Sequence, residues 1–126
     1  MSNFLSGITV GVIILQTAVF APTIFTTIEL EPAGKLLRAL FPKFFRLLVL
    51  LAIANAIALW LGAEGTVVRW TLVALSGVLP MVCAAMVAPT NRATDRGDKA
   101  TFKKLHALSV VFTVLVLLAN IAMPFV

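Results

Sequence analysis

Charge is scarce in this sequence: only 12% of its 126 residues are Asp, Glu, Lys or Arg, and only five are acidic. No acidic residue falls inside an apolar stretch, so a pair of membrane-embedded carboxylates for acid–base chemistry is excluded. One cysteine, Cys83, rules out an intramolecular disulfide and a cysteine-pair metal motif. One histidine, His106, rules out a haem held by two histidines of one chain, and no Ser-His-Asp set can be assembled. The seven glycines form no phosphate-binding loop.

What remains is hydrophobic, at 61% of residues, and it is organised by the placement of the charges. Charge is absent from Met1 to Ile28, Leu47 to Ala63, Trp70 to Asn91 and Leu105 to Val126, gaps of 28, 17, 22 and 22 residues. At about 1.5 Å per residue, roughly 20 apolar residues cross the ~30 Å hydrocarbon core. The pattern predicts an all-α, integral membrane four-helix bundle in a single domain. Its membrane helices are expected at about 4–28, 44–62, 67–88 and 104–124. Phe44 and Phe45 extend the short second gap past Arg46, whose long side chain can snorkel to the headgroups. Continuous apolar runs argue against a β-barrel, which shows short alternating segments. The first segment lacks a basic start and is full length, so a cleaved signal peptide is not expected.

Nine of the ten basic residues sit in two connections: Lys35, Arg38, Lys43 and Arg46 in the first, and Arg92, Arg96, Lys99, Lys103 and Lys104 in the third. The second connection carries only Arg69. The positive-inside rule then predicts cytoplasmic basic loops and both termini on the non-cytoplasmic side, with Trp60 and Trp70 together at the outer interface. The net charge of +5 reads as orientation and contact with anionic lipid headgroups, not as nucleic-acid binding. A bacterial inner (plasma) membrane is the expected location.

Within the first connection, Leu36, Leu37, Leu40, Phe41 and Phe44 recur at helical spacing after Glu31 and Pro32, predicting an interfacial helix over about 32–41. Pro42 is expected to mark its bend into helix two. Asn91 to Lys104 reads as a short solvated loop.

Polar residues inside the apolar segments must find partners in the bundle. Thr9, Gln16, Thr23 and Thr27 lie seven, seven and four apart, one face of helix one, and His106, Ser109, Thr113 and Asn120 do the same in helix four. Helix two contributes Asn55 among alanines, and helix three Ser76, Gly77 and Cys83 around Pro80. Packing is the bland explanation, since small and hydroxyl residues are the ordinary glue between membrane helices. Gln16, Asn55 and Asn120 cost more to bury and are candidates for lining a ligand pathway, with Thr9, Thr23, Asn91, His106, Ser109 and Thr113 beside them. Met81, Cys83 and Met86 suggest soft-metal ligands, but Met81 and Cys83 point to different sides of a helix. No metal site is expected, and no cofactor is identified.

A weak internal echo adds to this. Shifting by 67 residues places Thr9 on Ser76, Gln16 on Cys83 and Ala21-Pro22-Thr23 on Ala88-Pro89-Thr90, as a parallel duplication of a helical hairpin would.

Phe20-Ala21-Pro22-Thr23-Ile24-Phe25, Ala33-Gly34, Leu40-Phe41-Pro42-Lys43-Phe44-Phe45, Pro89-Thr90-Asn91 and Phe102-Lys103-Lys104-Leu105-His106-Ala107-Leu108-Ser109 carry a family resemblance. In order and spacing they resemble the four-helix membrane family that includes animal transmembrane protein 205, whose bacterial members are catalogued as a domain of unknown function. The resemblance spans nearly the whole chain. It implies a four-helix membrane protein linked to transport of, or resistance to, metal-containing toxicants, and supplies no catalytic residues. Copper-resistance membrane subunits and anthrone-oxygenase-like proteins are similar in size and helix number.

The expected function is non-enzymatic: handling of a small molecule or ion as a homo-oligomer or within a larger membrane complex. The alternatives are a non-catalytic accessory or structural subunit, and a membrane-embedded oxidoreductase or oxygenase-like enzyme.

Overall fold

The computed structural model describes residues 1–126, and four long helices account for nearly all of them. They are α1 (Ser2–Thr27), α2 (Leu30–Gly62), α3 (Val67–Asp95) and α4 (Lys99–Ala122), the last continued by a 3-10 turn over Met123–Phe125. Each is long and apolar enough to cross a membrane, and there are no strands. The exterior agrees with a lipid solvent: Leu50, Ile53, Val78 and Val111 are all exposed mid-helix. The chain is therefore a small integral membrane protein.

The helices run alternately up and down. α2 packs along α3 and α3 along α4, while α1 touches α2 and α4 mainly through its first half. One end carries the Ile28–Glu29 and Arg96–Asp98 connections; the other carries both termini and the turn between α2 and α3. Nine cations and four carboxylates, Glu29, Glu31, Asp95 and Asp98, belong to the half of the molecule on the first or basic side, leaving it at +5, although Arg46, expected in the connection, stands at the middle of α2. At the terminal end Arg69 is 3.0 Å from Glu64, so that end is neutral. Trp60 and Trp70 both stand at the terminal end, where the indole of Trp70 closes over Gly65 so tightly that any side chain there would clash.

Buried positions alternate by three and four on every helix: Ser2, Ser6, Thr9, Ile13 and Gln16 on α1; Leu48, Ala52, Asn55 and Leu59 on α2; Val73, Ser76, Pro80 and Cys83 on α3; Thr113, Val116, Asn120 and Met123 on α4. A 3.5-residue repeat is the signature of helices packed side by side at a shallow angle. Ile13, Phe44, Phe45, Leu48, Cys83 and Val116 form the central core. The buried positions 9, 13 and 16 of α1 coincide with 76, 80 and 83 of α3 under the 67-residue shift.

Two connections are shorter than the sequence suggests. The segment expected as a separate interfacial helix is the first third of α2, which runs unbroken through Pro42 for 33 residues. That is about 50 Å of helix against a ~30 Å hydrocarbon core, so its basic first turns project beyond the apolar layer. The expected solvated loop shrinks to Arg96–Asp98, because α3 continues to Asp95 and α4 starts at Lys99. Gly97 turns the chain there at φ +69°, and Asp98 caps α4 by accepting from the Thr101 amide at 3.1 Å. Hydrogen bonds from Thr101, and secondarily from Arg96, hold the Asp98 carboxyl below the usual carboxylate range.

The other departure is inside α1. Residues Leu15–Phe20 form a π-helix. Pro22 has no N–H, and in a regular α-helix its ring would press on the carbonyl of Ala18; a wider turn relieves the clash. The Ala21 amide instead reaches Gln16 O, and the Thr17 hydroxyl donates to Ile13 O at 2.8 Å. The extra residue rotates everything downstream, so the buried position after Gln16 is Ile24, eight residues on, and Thr23 and Thr27 are exposed.

Candidate functional site

The polar residues singled out in the sequence separate into two groups. Towards the terminal end they are consumed by packing. Asn55 Oδ1 accepts from Ser2 Oγ at 2.6 Å, and Asn55 Nδ2 donates to Ser6 Oγ at 2.9 Å, tying α2 to α1. Asn120 Nδ2 donates to Ser76 Oγ at 2.8 Å and to Val116 O at 2.9 Å, while Ser76 Oγ donates to Leu72 O, tying α4 to α3. Thr9 donates to Leu5 O of its own helix at 3.0 Å. These groups are buried and hydrogen-bonded.

Ser2 and Ser6 are partners that sequence reasoning missed. They lie seven and three residues before Thr9 on the buried face of α1, and that spacing is the signal in the sequence that marks them.

Towards the basic end the arrangement opens. Because α1 is held mainly by its first half, its second half stands away from α4 and leaves a cleft of about 800 Å³. α2 and α3 form its back wall through Leu37, Phe41, Phe44, Phe45, Val87 and Thr90. The rims are Thr17 and Phe25 on α1 and Val110 and Val114 on α4, all exposed, so the cleft faces outward between these two helices. It reaches from Lys99 at the loop to Leu117, about 27 Å along α4 at 1.5 Å per residue.

Gln16, Asn91, His106, Ser109 and Thr113 all line it; Thr9, Thr23, Asn55 and Asn120 do not. Thr113 already donates to Ser109 O at 2.8 Å and Thr90 to Met86 O at 2.7 Å, so these hydroxyls have only acceptor capacity left. His106 stacks on Phe102 with ring centroids 5.6 Å apart and planes 7° from parallel. Gln16 is different: 4% exposed, on the π-helix, with an Nε2 that meets no hydrogen-bond partner in the protein. A buried amide left unpaired costs about 1–3 kcal/mol.

The charges near the mouth are largely paired. Arg38 donates to both oxygens of Asp95, at 2.6 and 3.2 Å, clamping α2 to α3, and Arg96 lies 3.3 Å from Asp98. Cys83 is buried with Sγ 3.9 Å from Ser109 O, while Met81 is 58% exposed on the outside, so the two sulfurs diverge.

A family model described as a domain of unknown function, DUF4149, matches residues 4–101, more than three quarters of the chain. The chain belongs to the DUF4149 family. No curated protein and no solved structure matches it. The matched span takes in α1, α2, α3 and the Arg38–Asp95 clamp, and ends as α4 begins. Of the cleft of this DUF4149 protein, Gln16 and Asn91 fall inside that span; His106, Ser109 and Thr113 lie beyond it.

Proposed function

We propose that this DUF4149 protein binds a small molecule in the cleft between α1 and α4 and handles it for transport or toxicant resistance. The observation that carries this reading is Gln16: a buried amide on the wall of an 800 Å³ apolar cleft, with an Nε2 that has no protein partner. Ligand sites are typically concave, mostly apolar and of about 300–1,000 Å³, with a few convergent polar groups. Pure packing does not explain such a residue, because leucine would fill the same space without the desolvation cost. The resemblance to the family of transmembrane protein 205 supports transport or resistance as the setting.

The basic end is read as cytoplasmic, in a bacterial inner membrane, on the nine-to-one distribution of Lys and Arg and the two tryptophans opposite. A homo-oligomer is supported by Gly7 and Gly11 on α1. They are spaced as a Gly-x-x-x-Gly pair, and a side chain at either would meet nothing within 4 Å, which leaves a smooth face for a second copy. Native mass spectrometry counts the copies.

The test is a paired substitution in a resistance or flux assay, with membrane insertion monitored. Gln16→Leu is expected to abolish the phenotype while inserting normally. Asn120→Leu, outside the cleft, is expected to keep it wherever the protein folds. Wild-type behaviour of Gln16→Leu would reduce the cleft to a packing defect.

A further inference from the structure

We infer that the cleft takes up an anionic membrane lipid, one acyl chain lying along its wall and the phosphate held at its mouth by Lys99 and Lys103. The inference rests on the cleft reading above and adds the class of ligand, its orientation and its route.

The open side decides what enters. Thr17 on α1 and Val110 and Val114 on α4 are exposed at the rims, well inside their apolar segments, where the surroundings of the protein are hydrocarbon. Water is absent at that depth, and the molecules that meet the opening are lipid chains. The cleft is therefore reached sideways from the bilayer.

The wall suits an alkyl chain. From Phe102 inward it presents no charged side chain, and an ion taken there would stand unpaired in apolar surroundings. Its threonines have no proton to offer, since Thr17, Thr90 and Thr113 donate to Ile13 O, Met86 O and Ser109 O at 2.8, 2.7 and 2.8 Å. From Phe102 to Leu117 the cleft runs about 22 Å along α4 at 1.5 Å per residue. One leaflet supplies roughly 15 Å of the ~30 Å hydrocarbon core, so a chain can lie in the cleft extended over its whole length.

The mouth suits an anionic headgroup. Lys99 lines it, and Lys103 follows one turn later on the same side of α4, seven and eleven residues before the rim residues Val110 and Val114. Both lysines are exposed, and the four ion pairs of the protein use Lys35, Arg38, Arg69 and Arg96 instead. Arg38 is occupied by both oxygens of Asp95, while Asp98 accepts from the Thr101 amide and lies beside Arg96. The opposite lip, at Leu30, is flanked by Glu29 and Glu31, which keeps a phosphate on the α4 side. A headgroup at the loop with its chain pointing inward is the orientation a lipid already has in its leaflet, so entry requires no reversal.

Photolabelling of the full chain in nanodiscs tests this. Phosphatidylglycerol and phosphatidylcholine, each with a diazirine at the end of one acyl chain, would be compared at equal dilution in unlabelled phosphatidylcholine. The readout is the ratio of label on Phe45, in the cleft wall, to label on Leu50 and Ile53, on the exposed face of the same helix. A ratio within one helix cancels any general gathering of anionic lipid at the basic end. The expected ratio is several times higher for phosphatidylglycerol, falling about fivefold for each lysine removed in Lys99→Gln and Lys103→Gln, as fits one lysine beside an anionic headgroup. Arg46→Gln, an exposed cation outside the cleft, should leave it unchanged. Equal ratios for the two lipids, or an equal fall in Arg46→Gln, would overturn headgroup selection and leave the cleft as a site for acyl chains. No enrichment with either lipid would overturn the lipid as occupant, and the Gln16→Leu phenotype then decides the cleft reading separately.

Discussion

Asn55 and Gln16 are both buried amides in membrane helices, with opposite energetics. Asn55 is used as donor and acceptor, to Ser6 and from Ser2, whereas Gln16 Nε2 has no protein partner. Asn55→Ala should destabilise the protein by about 1–2 kcal/mol, the loss of interhelical hydrogen bonds that leaves both serines unpaired. Gln16→Leu should cost nothing and add up to about 1 kcal/mol, because an unpaired amide is replaced by apolar volume. Reversible unfolding in mixed micelles measures both; equal losses would mean that Gln16 has a structural partner after all. A residue whose removal stabilises the fold but abolishes function marks a site where stability is given up for binding.

The element that makes this site is the π-helix at Leu15–Phe20. It presents Gln16 to the cleft and turns the rest of α1 so that Ile24 packs inward and Thr23 faces out. Pro22→Ala is expected to restore a regular helix and to rotate the downstream face back by about one residue. In a Cys83→Ser background, a water-soluble maleimide should modify Thr23→Cys and spare Ile24→Cys. Adding Pro22→Ala should reverse that pattern, and an unchanged pattern would clear Pro22 of the role. This element also shows why the sequence is only partly readable. Thr9, Gln16, Thr23 and Thr27 are evenly spaced for a regular helix, and nothing in the period reveals where an extra residue enters. The proline was visible; whether it would kink, end or widen the helix depends on its neighbours.

At the scale of the whole molecule, the four helices were legible because a bilayer imposes its thickness on the chain, and gaps between charges report it directly. Their ends were not. Past the apolar layer α2 begins twelve residues before Pro42 and α3 ends at Asp95, in polar sequence that looks like loop until the Arg38–Asp95 clamp joins the two. The candidate residues were legible as polar groups within apolar segments, and five of the nine meet in one cleft. The division into satisfied and unsatisfied could not be read, since it depends on which serines face Asn55 and Asn120 and on nothing facing Gln16.

The most direct test of ligand binding is native mass spectrometry on wild type and Gln16→Leu, extracted gently from the same native membranes and compared side by side. Wild type is expected to carry an additional organic mass in the hundreds of daltons that dissociates on activation, and Gln16→Leu to appear bare at the same oligomeric state. A bare wild-type protein, or a mass retained equally by both, would contradict binding at Gln16.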